Sequence, residues 1–171
     1  HPLTEISYIN LTQLTKIKGI GQAKACKIKA LAELSRRVTQ QNKLVKLNQP
    51  EKIFHYLAKA AKSSQEHSYV FYLNGRQELL QKTLIALGSF NQTQLEPREI
   101  LRPALTLPAS CLILAHNHPS GNATASQADI NATNKIQQAA HLMGIQLIDH
   151  VIVTQDSYFS FREKGLIIAT Y

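Results

Sequence analysis

The sequence has few of the residues that hold small or extracellular proteins together. It contains two cysteines, no tryptophan and one methionine, and only 6% of its residues are aromatic. Two cysteines exclude a disulfide-rich scaffold and cannot by themselves hold a structural zinc ion. Seven glycines and six prolines are too few for a fibrous or low-complexity chain. We therefore expect a globular protein in a reducing, cytoplasmic compartment, with Cys26 and Cys111 as small core residues rather than nucleophiles.

The chain also lacks a hydrophobic run long enough to cross a membrane. Its apolar stretches, such as Cys111–Ala115, have the length of a buried strand. Residues 1–5 do not resemble a signal peptide and include no Met, so we expect a fragment or a processed form. The sequence therefore predicts no membrane partner, and its 171 residues suit one domain with a small appendage.

Acidic residues are scarce in the first third of the chain. Residues 1–62 carry twelve Lys and Arg but only three Glu, for a net charge of +9. Residues 63–171 carry seven basic and eight acidic residues, for a net charge of −1. Such asymmetry is typical of a basic appendage that contacts phosphates, attached to a body with another task. A solubilising face on short helices explains the same charges equally well.

The front segment (residues 1–45) is predicted to form two helices joined by a glycine turn. Apolar residues recur at helical spacing from Leu11 to Ile17, stop at Gly19-Ile20-Gly21, and resume from Ala23 to about Val38. The polar residues 39–42 are predicted to be a linker.

The turn resembles the hairpin of helix-hairpin-helix modules. Glycines at such a turn let backbone amides approach a phosphate, and nearby lysines add charge. This predicts weak, non-specific DNA contact through five residues, Lys18, Gly19, Gly21, Lys24 and Lys27. A tight turn between two packed helices is the alternative.

The body of the chain (residues 46–171) alternates between strand and helix patterns, which predicts an α/β layered domain. The predicted helices are residues 50–62, 97–107 and 127–142. The predicted strands are residues 69–73, 79–87, 111–115, 145–153 and 158–161.

The residues that carry chemistry follow the apolar run 111–115. His116 and His118 are two positions apart, so in extended backbone both imidazoles project to the same side. Asp129, at the start of the next predicted helix, adds a carboxylate. Two imidazoles and one carboxylate leave the fourth position of a tetrahedral zinc open, as in catalytic sites. Ser126 is then a candidate donor to the oxyanion of a tetrahedral intermediate.

Other interpretations use the same residues. Ser126 followed by Asp129 three positions later is also a common helix start, with Ser as the N-cap. The tripeptide His116-Asn117-His118 matches an HNH nuclease in three letters only. A nucleobase deaminase is disfavoured because no Pro-Cys-x-x-Cys follows. Two histidines directly after a buried strand nevertheless favour a metal site.

The spacing of His116, His118, Ser126 and Asp129 resembles the JAMM signature of the JAB/MPN metalloprotease superfamily. Within it, the run Ala115-His-Asn-His-Pro-Ser-Gly121 resembles the RadC family, which is historically linked to DNA repair. Agreement extends over essentially the whole chain, through Lys18-Gly-Ile-Gly-Gln-Ala-Lys-Ala25, Glu33-Leu with Arg36-Arg37, Pro97-Arg-Glu99, Asp149-His150, and Ser160-Phe with Gly165-Leu166.

This resemblance implies a JAB/MPN-type mixed sheet flanked by helices and preceded by a small helical segment. It implies that His116, His118 and Asp129 ligate zinc and that Ser126 supports the transition state. It also implies a glutamate general base just before the first central strand, where Glu66 is the matching residue. Glu78, Glu96 and Glu99 compete for that role.

The leading functional hypothesis is thus a zinc-dependent metallopeptidase acting on a peptide or isopeptide substrate. A non-catalytic, DNA-associated accessory protein is the alternative, and a metal-dependent nuclease is a third. The pair Asp149-His150 has two interpretations: it orients a metal ligand, or it is a buried structural pair.

Overall fold

The structure is a computed structural model that describes residues 9–41, 44–87 and 96–167. The chain divides into two compact units, one up to Leu44 (the front unit) and one from Val45 onwards (the main unit). In the described part of the chain, none of the helices combines the length and apolar character needed to span a bilayer.

The front unit contains helices α1 (Leu11–Thr15) and α2 (Gln22–Gln41). The Asn10 side chain caps α1 by accepting a hydrogen bond from Gln13 N at 2.8 Å. Helix α2 continues through the predicted linker to Gln41, because Thr and Gln do not break a helix. Residue 42 lies outside the described residues.

One prediction about the front unit is wrong. Cys26 is exposed, whereas Ala25 beside it is fully buried. Successive helical residues point about 100° apart, so a neighbour of a buried position readily faces solvent. Cys111, in contrast, is buried as predicted.

The main unit is built on a five-stranded mixed sheet. Its strands are β1 (His67–Leu73), β2 (Leu79–Leu87), β3 (Cys111–Asn117), β4 (Gln146–Val153) and β5 (Tyr158–Ser160). Their order is β2-β1-β3-β4-β5, with β3 and β4 parallel and the other pairs antiparallel. Parallel neighbours need a crossover connection. Here helix α5 (Gln127–Leu142) supplies it.

Helices cover both faces of this sheet, and the predicted fold class is confirmed. One core contains Val70, Tyr72 and Leu114 with residues of α4 (Pro97–Thr106) and α5. The other contains Phe71 and Ile113 with residues of α3 (Pro50–Tyr56). The single predicted helix over 50–62 is instead α3 followed, after a turn, by a short 3-10 helix at Ala60–Lys62.

Strand β3 lies at the centre of the sheet and is buried along its whole length. Residues on both of its faces meet a core, which explains its unbroken apolar run. The strand extends two residues beyond the predicted end, through His116 and Asn117, because both still pair with Ile152 and Val153 of β4. This extension carries the first candidate ligand into the interior.

Candidate metal site

Strand β3 and helix α5 bring three predicted ligands together. His116 lies near the end of β3, where it pairs with Ser68 of β1, and it is fully buried. His118 follows the strand, and its backbone N donates to Val153 O at 2.9 Å. Asp129 lies in the first turn of α5 and is 1% exposed. Within the described residues, His116, His118 and Asp129 form the candidate metal site.

The spacing of the three side chains suits a small tetrahedral ion. His116 Nε2 lies 2.9 Å from His118 Nε2 and 3.4 Å from Asp129 Oδ1. One ligand atom from each residue lies within 4.8 Å of the others. Ligands bound tetrahedrally to zinc at about 2.0–2.1 Å are about 3.3 Å apart. The side chains are therefore already close to ligating positions.

The hydrogen bonds leave this cluster rich in acceptors. His118 Nδ1 lies 2.7 Å from Asn122 O, and a carbonyl only accepts, so Nδ1 carries the ring proton. The His118 Nε2 lone pair then faces the cluster, where the carboxylate oxygen of Asp129 also only accepts. A cation satisfies such a donor set, and the residues present therefore fit a metal ion.

His116 is held in the form that binds a metal. Burial holds the pKa of His116 well below its usual value, and the neighbouring His150 and His118 lower it further. The ring is therefore neutral at physiological pH. Neutral imidazole is the form that ligates metals.

Asp129 takes part in both the helix cap and the candidate metal site. Its Oδ2 accepts from Ser126 N and from Ser126 Oγ, each at 2.7 Å, and Asp129 N donates to Ser126 Oγ at 3.2 Å. Its Oδ1 faces His116. The two interpretations of Ser126 and Asp129 are therefore compatible, because they use different oxygens of the carboxylate.

Glu66 lies directly before β1, partly exposed, and outside the three-residue cluster. Asn117, between the two histidines, is fully buried and bonds to the backbone on both sides of Glu66. Its Nδ2 donates to Gln65 O at 3.1 Å, and its Oδ1 accepts from His67 N at 2.7 Å. The segment that carries Glu66 is thus attached to the end of β3. The role of Asn117 could not be predicted from the sequence, since a polar residue between two candidate ligands carries no signal of its partners.

The competing glutamates are engaged elsewhere. Glu78 accepts from Asn74 Nδ2 at 2.8 Å. Glu96 pairs with Lys135 and Glu99 with Arg102, each at 3.1 Å. Within the described residues, none of these three glutamates belongs to the candidate metal site.

The neighbouring residues Asp149 and His150 have different roles, because adjacent strand residues point to opposite faces. His150 Nε2 lies 2.9 Å from His116 Nδ1, and burial lowers the pKa of His150 to about 3. Asp149 Oδ2 accepts from Ser160 Oγ at 2.6 Å and Oδ1 from Arg162 N at 3.0 Å. Burial raises the pKa of its carboxyl. His150 therefore contacts a candidate ligand, whereas Asp149 holds the segment around β5.

The five candidate DNA-contacting residues lie around the turn between α1 and α2. Lys18, Gly19, Gly21, Lys24 and Lys27 are all exposed. Gly19 has φ +88°, a left-handed conformation that favours glycine. The Lys24 ammonium donates to Gly19 O at 2.9 Å, across the turn.

Comparison with known proteins gives the family. The model of the RadC-like JAB domain matches residues 47–166. The UPF0758 protein of Chlorobium chlorochromatii is 38% identical over 167 residues, which are 96% of this chain and 75% of that protein. The UPF0758 protein of Carboxydothermus hydrogenoformans is 40% identical over 158 residues, 90% of this chain and 70% of that protein. The chain belongs to the RadC family. The UPF0758 protein of Enterococcus faecalis is also 40% identical, over 94% of this chain and 72% of that protein.

The RadC-like JAB domain includes strands β1 to β5, helices α3 to α5 and the three residues of the candidate metal site. The resemblance inferred from the His116–Asp129 motif is thereby confirmed. The matched residues 47–166 begin after the front unit, whose helices lie outside the JAB domain.

Proposed function

We propose that this RadC-family protein is a zinc-dependent hydrolase that cleaves peptide or isopeptide bonds. The convergence of His116 Nε2, His118 Nε2 and Asp129 Oδ1 carries the proposal. Two imidazoles and one carboxylate match the ligand sets of catalytic zinc sites. The JAB-domain family to which the chain belongs is generally hydrolytic.

The chain supplies the groups that such a hydrolysis needs. Zinc held by these three residues would polarise the substrate carbonyl and lower the pKa of a bound water to about 7. Glu66, on the segment that Asn117 bonds to the end of β3, would accept the proton of the attacking water and deliver it to the leaving amine. The buried positions of His116 and Asp129 would keep the ligands ordered.

Ser126 would donate to the oxyanion of the tetrahedral intermediate. In the structure its hydroxyl donates to Asp129 Oδ2, so this role requires the hydroxyl to rotate. Ser126 N also donates to Asp129 Oδ2 and would hold the carboxylate during that rotation. The Ser126 hydroxyl would therefore bond to Asp129 before the reaction and to the oxyanion during it.

The test compares the zinc-free and the zinc-loaded protein. Each is assayed for cleavage of a panel of lysine-linked isopeptides and unmodified peptides. We expect about one zinc per chain by elemental analysis, and cleavage that disappears on chelation and returns with zinc. A zinc-loaded protein that cleaves nothing on the panel faster than the zinc-free protein would contradict a hydrolase.

A second activity is proposed for the front unit: non-specific contact with the DNA backbone. It is favoured by the basic charge of the front unit, which carries eight Lys and Arg against two Glu up to Leu44, and by the exposed lysines around the α1–α2 turn. Such contact would bring the hydrolase to proteins bound on DNA. It also suits the alternative of a DNA-associated protein without catalysis.

Duplex binding is expected to weaken steeply with salt, because phosphate contacts release counterions. The pair Lys18→Gln and Lys27→Gln should reduce the slope of log affinity against log salt by about 2, or about 1 for each phosphate contact. Lys24 is left intact because it bonds to Gly19 O. Fluorescence anisotropy with a labelled duplex measures the slope, and Lys164→Gln, an exposed lysine of the main unit, is the control. Equal slopes for the wild type and the double variant would exclude these contacts.

A further inference from the structure

A buried chain of hydrogen bonds connects two of the proposed ligands behind the metal cluster. It runs from His116 through His150 and Thr133 to the backbone of Asp129. We infer that His150 and Thr133 are positioning residues that direct the His116 Nε2 lone pair toward the metal. The inference rests on the proposed zinc site and adds two residues to it.

Thr133 determines which atom donates and which accepts at each hydrogen bond of this chain. Its Oγ1 lies 2.6 Å from Asp129 O and 2.7 Å from His150 Nδ1. A hydroxyl has one proton, and the carbonyl can only accept, so that proton goes to Asp129 O. His150 Nδ1 must then be the donor in its contact with Thr133. Thr133 therefore selects the tautomer of His150.

The tautomer of His150 in turn fixes the tautomer of His116. A neutral imidazole has one N–H, so His150 with its proton on Nδ1 presents Nε2 as an acceptor. That Nε2 lies 2.9 Å from His116 Nδ1, which therefore carries the His116 proton. His116 Nε2 is left with its lone pair directed at His118 Nε2 and Asp129 Oδ1. Each contact in the chain thus has one donor and one acceptor.

Because these side chains are buried, water cannot replace a hydrogen bond that is lost between them. His116, His150 and Thr133 are all fully buried. If one partner is removed, the remaining N–H or hydroxyl loses its hydrogen bond without gaining water. Thr133 is one helical turn after Asp129 on α5, and His150 lies on β4. The chain therefore also connects the helix that carries one ligand to the strands that carry the other.

The experiment measures the zinc affinity of the 171-residue protein by chelator competition. His150→Phe should weaken zinc binding by about 10- to 100-fold, the usual effect of removing a partner of a ligating histidine. Thr133→Val, of nearly the same shape, should weaken it by about 10-fold, and it decides the matter if His150→Phe does not fold. His150→Gln, whose amide oxygen can accept from His116 Nδ1, should retain part of the affinity.

Ser68→Ala is the matched control. Ser68 is fully buried, pairs with His116 across β1 and β3, and within the described residues its Oγ is buried without a hydrogen-bond partner. Its replacement should leave zinc affinity unchanged. A loss equal to that of Thr133→Val would show that any buried change beside His116 weakens the site, and would overturn the inference.

Nitrogen-15 NMR of the zinc-loaded protein provides a readout that packing alone would not change. We expect the ring protons of both His116 and His150 on Nδ1. A proton on His150 Nε2, or wild-type zinc affinity in both His150→Phe and Thr133→Val, overturns the inference and leaves the zinc hydrolase standing. Failure of the wild type to bind zinc contradicts the proposed function itself, before any variant is compared.

Discussion

Glu66→Gln is expected to slow hydrolysis by about 10²- to 10⁴-fold while zinc content stays at the wild-type level. Gln has nearly the shape of Glu but cannot accept the proton of the attacking water. Zinc content should not change, because within the described residues Glu66 lies outside the cluster of His116, His118 and Asp129. The measurement is kcat on the best peptide or isopeptide of the panel, together with elemental analysis.

The control for this substitution is Glu99→Gln. Glu99 is an exposed carboxylate that pairs with Arg102, and removing it should leave kcat unchanged. Wild-type turnover in Glu66→Gln would assign proton transfer to another group. A loss of zinc in that variant would mean instead that Glu66 contributes to metal binding.

His118→Ala is expected to weaken zinc binding by a factor on the order of 100 to 1000. Structural zinc sites gain about 10–16 kcal/mol from four ligands, so each ligand contributes about 2.5–4 kcal/mol. His118 is the best ligand to remove, because it follows β3 and is partly exposed, whereas His116 is fully buried. Its loss should therefore cost metal affinity with little effect on the core.

Chelator competition gives the affinity of this variant, and unfolding of the zinc-free protein checks that the fold is retained. His141→Ala, an exposed histidine near the end of α5, is the matched control and should bind zinc as the wild type does. Wild-type affinity in His118→Ala would exclude His118 as a ligand.

Most of the strands and helices could be predicted from local pattern. The apolar run 111–115 predicted the central strand, and Ser126 with Asp129 predicted the start of α5, where the structure has a capping box. Most errors lie at the ends of elements, apart from the predicted helix over 50–62, which is two elements. β1 begins two residues before the predicted Tyr69, because Ser68 and His67 still pair with neighbouring strands although neither is apolar.

The candidate site was predicted in part. Two histidines two positions apart in extended backbone lie on one side, so their convergence follows from the sequence. The contact with Asp129 depended on the family resemblance, because Ser126 and Asp129 by themselves favoured a helix cap. In the structure, Asp129 Oδ2 accepts the hydrogen bond of the helix cap, and Oδ1 faces His116 Nε2.

By itself, the sequence determined the central strand, the His116–Asp129 motif and the family, because these depend on residues close together in the chain. Only the tertiary structure decided which residues hold the motif in place. His150 lies 34 positions from His116, and Thr133 lies 17 positions from His150. Asn117 bonds to residues 50 and 52 positions away. These contacts depend on the order of the strands and the crossover through α5, which local periodicity does not encode.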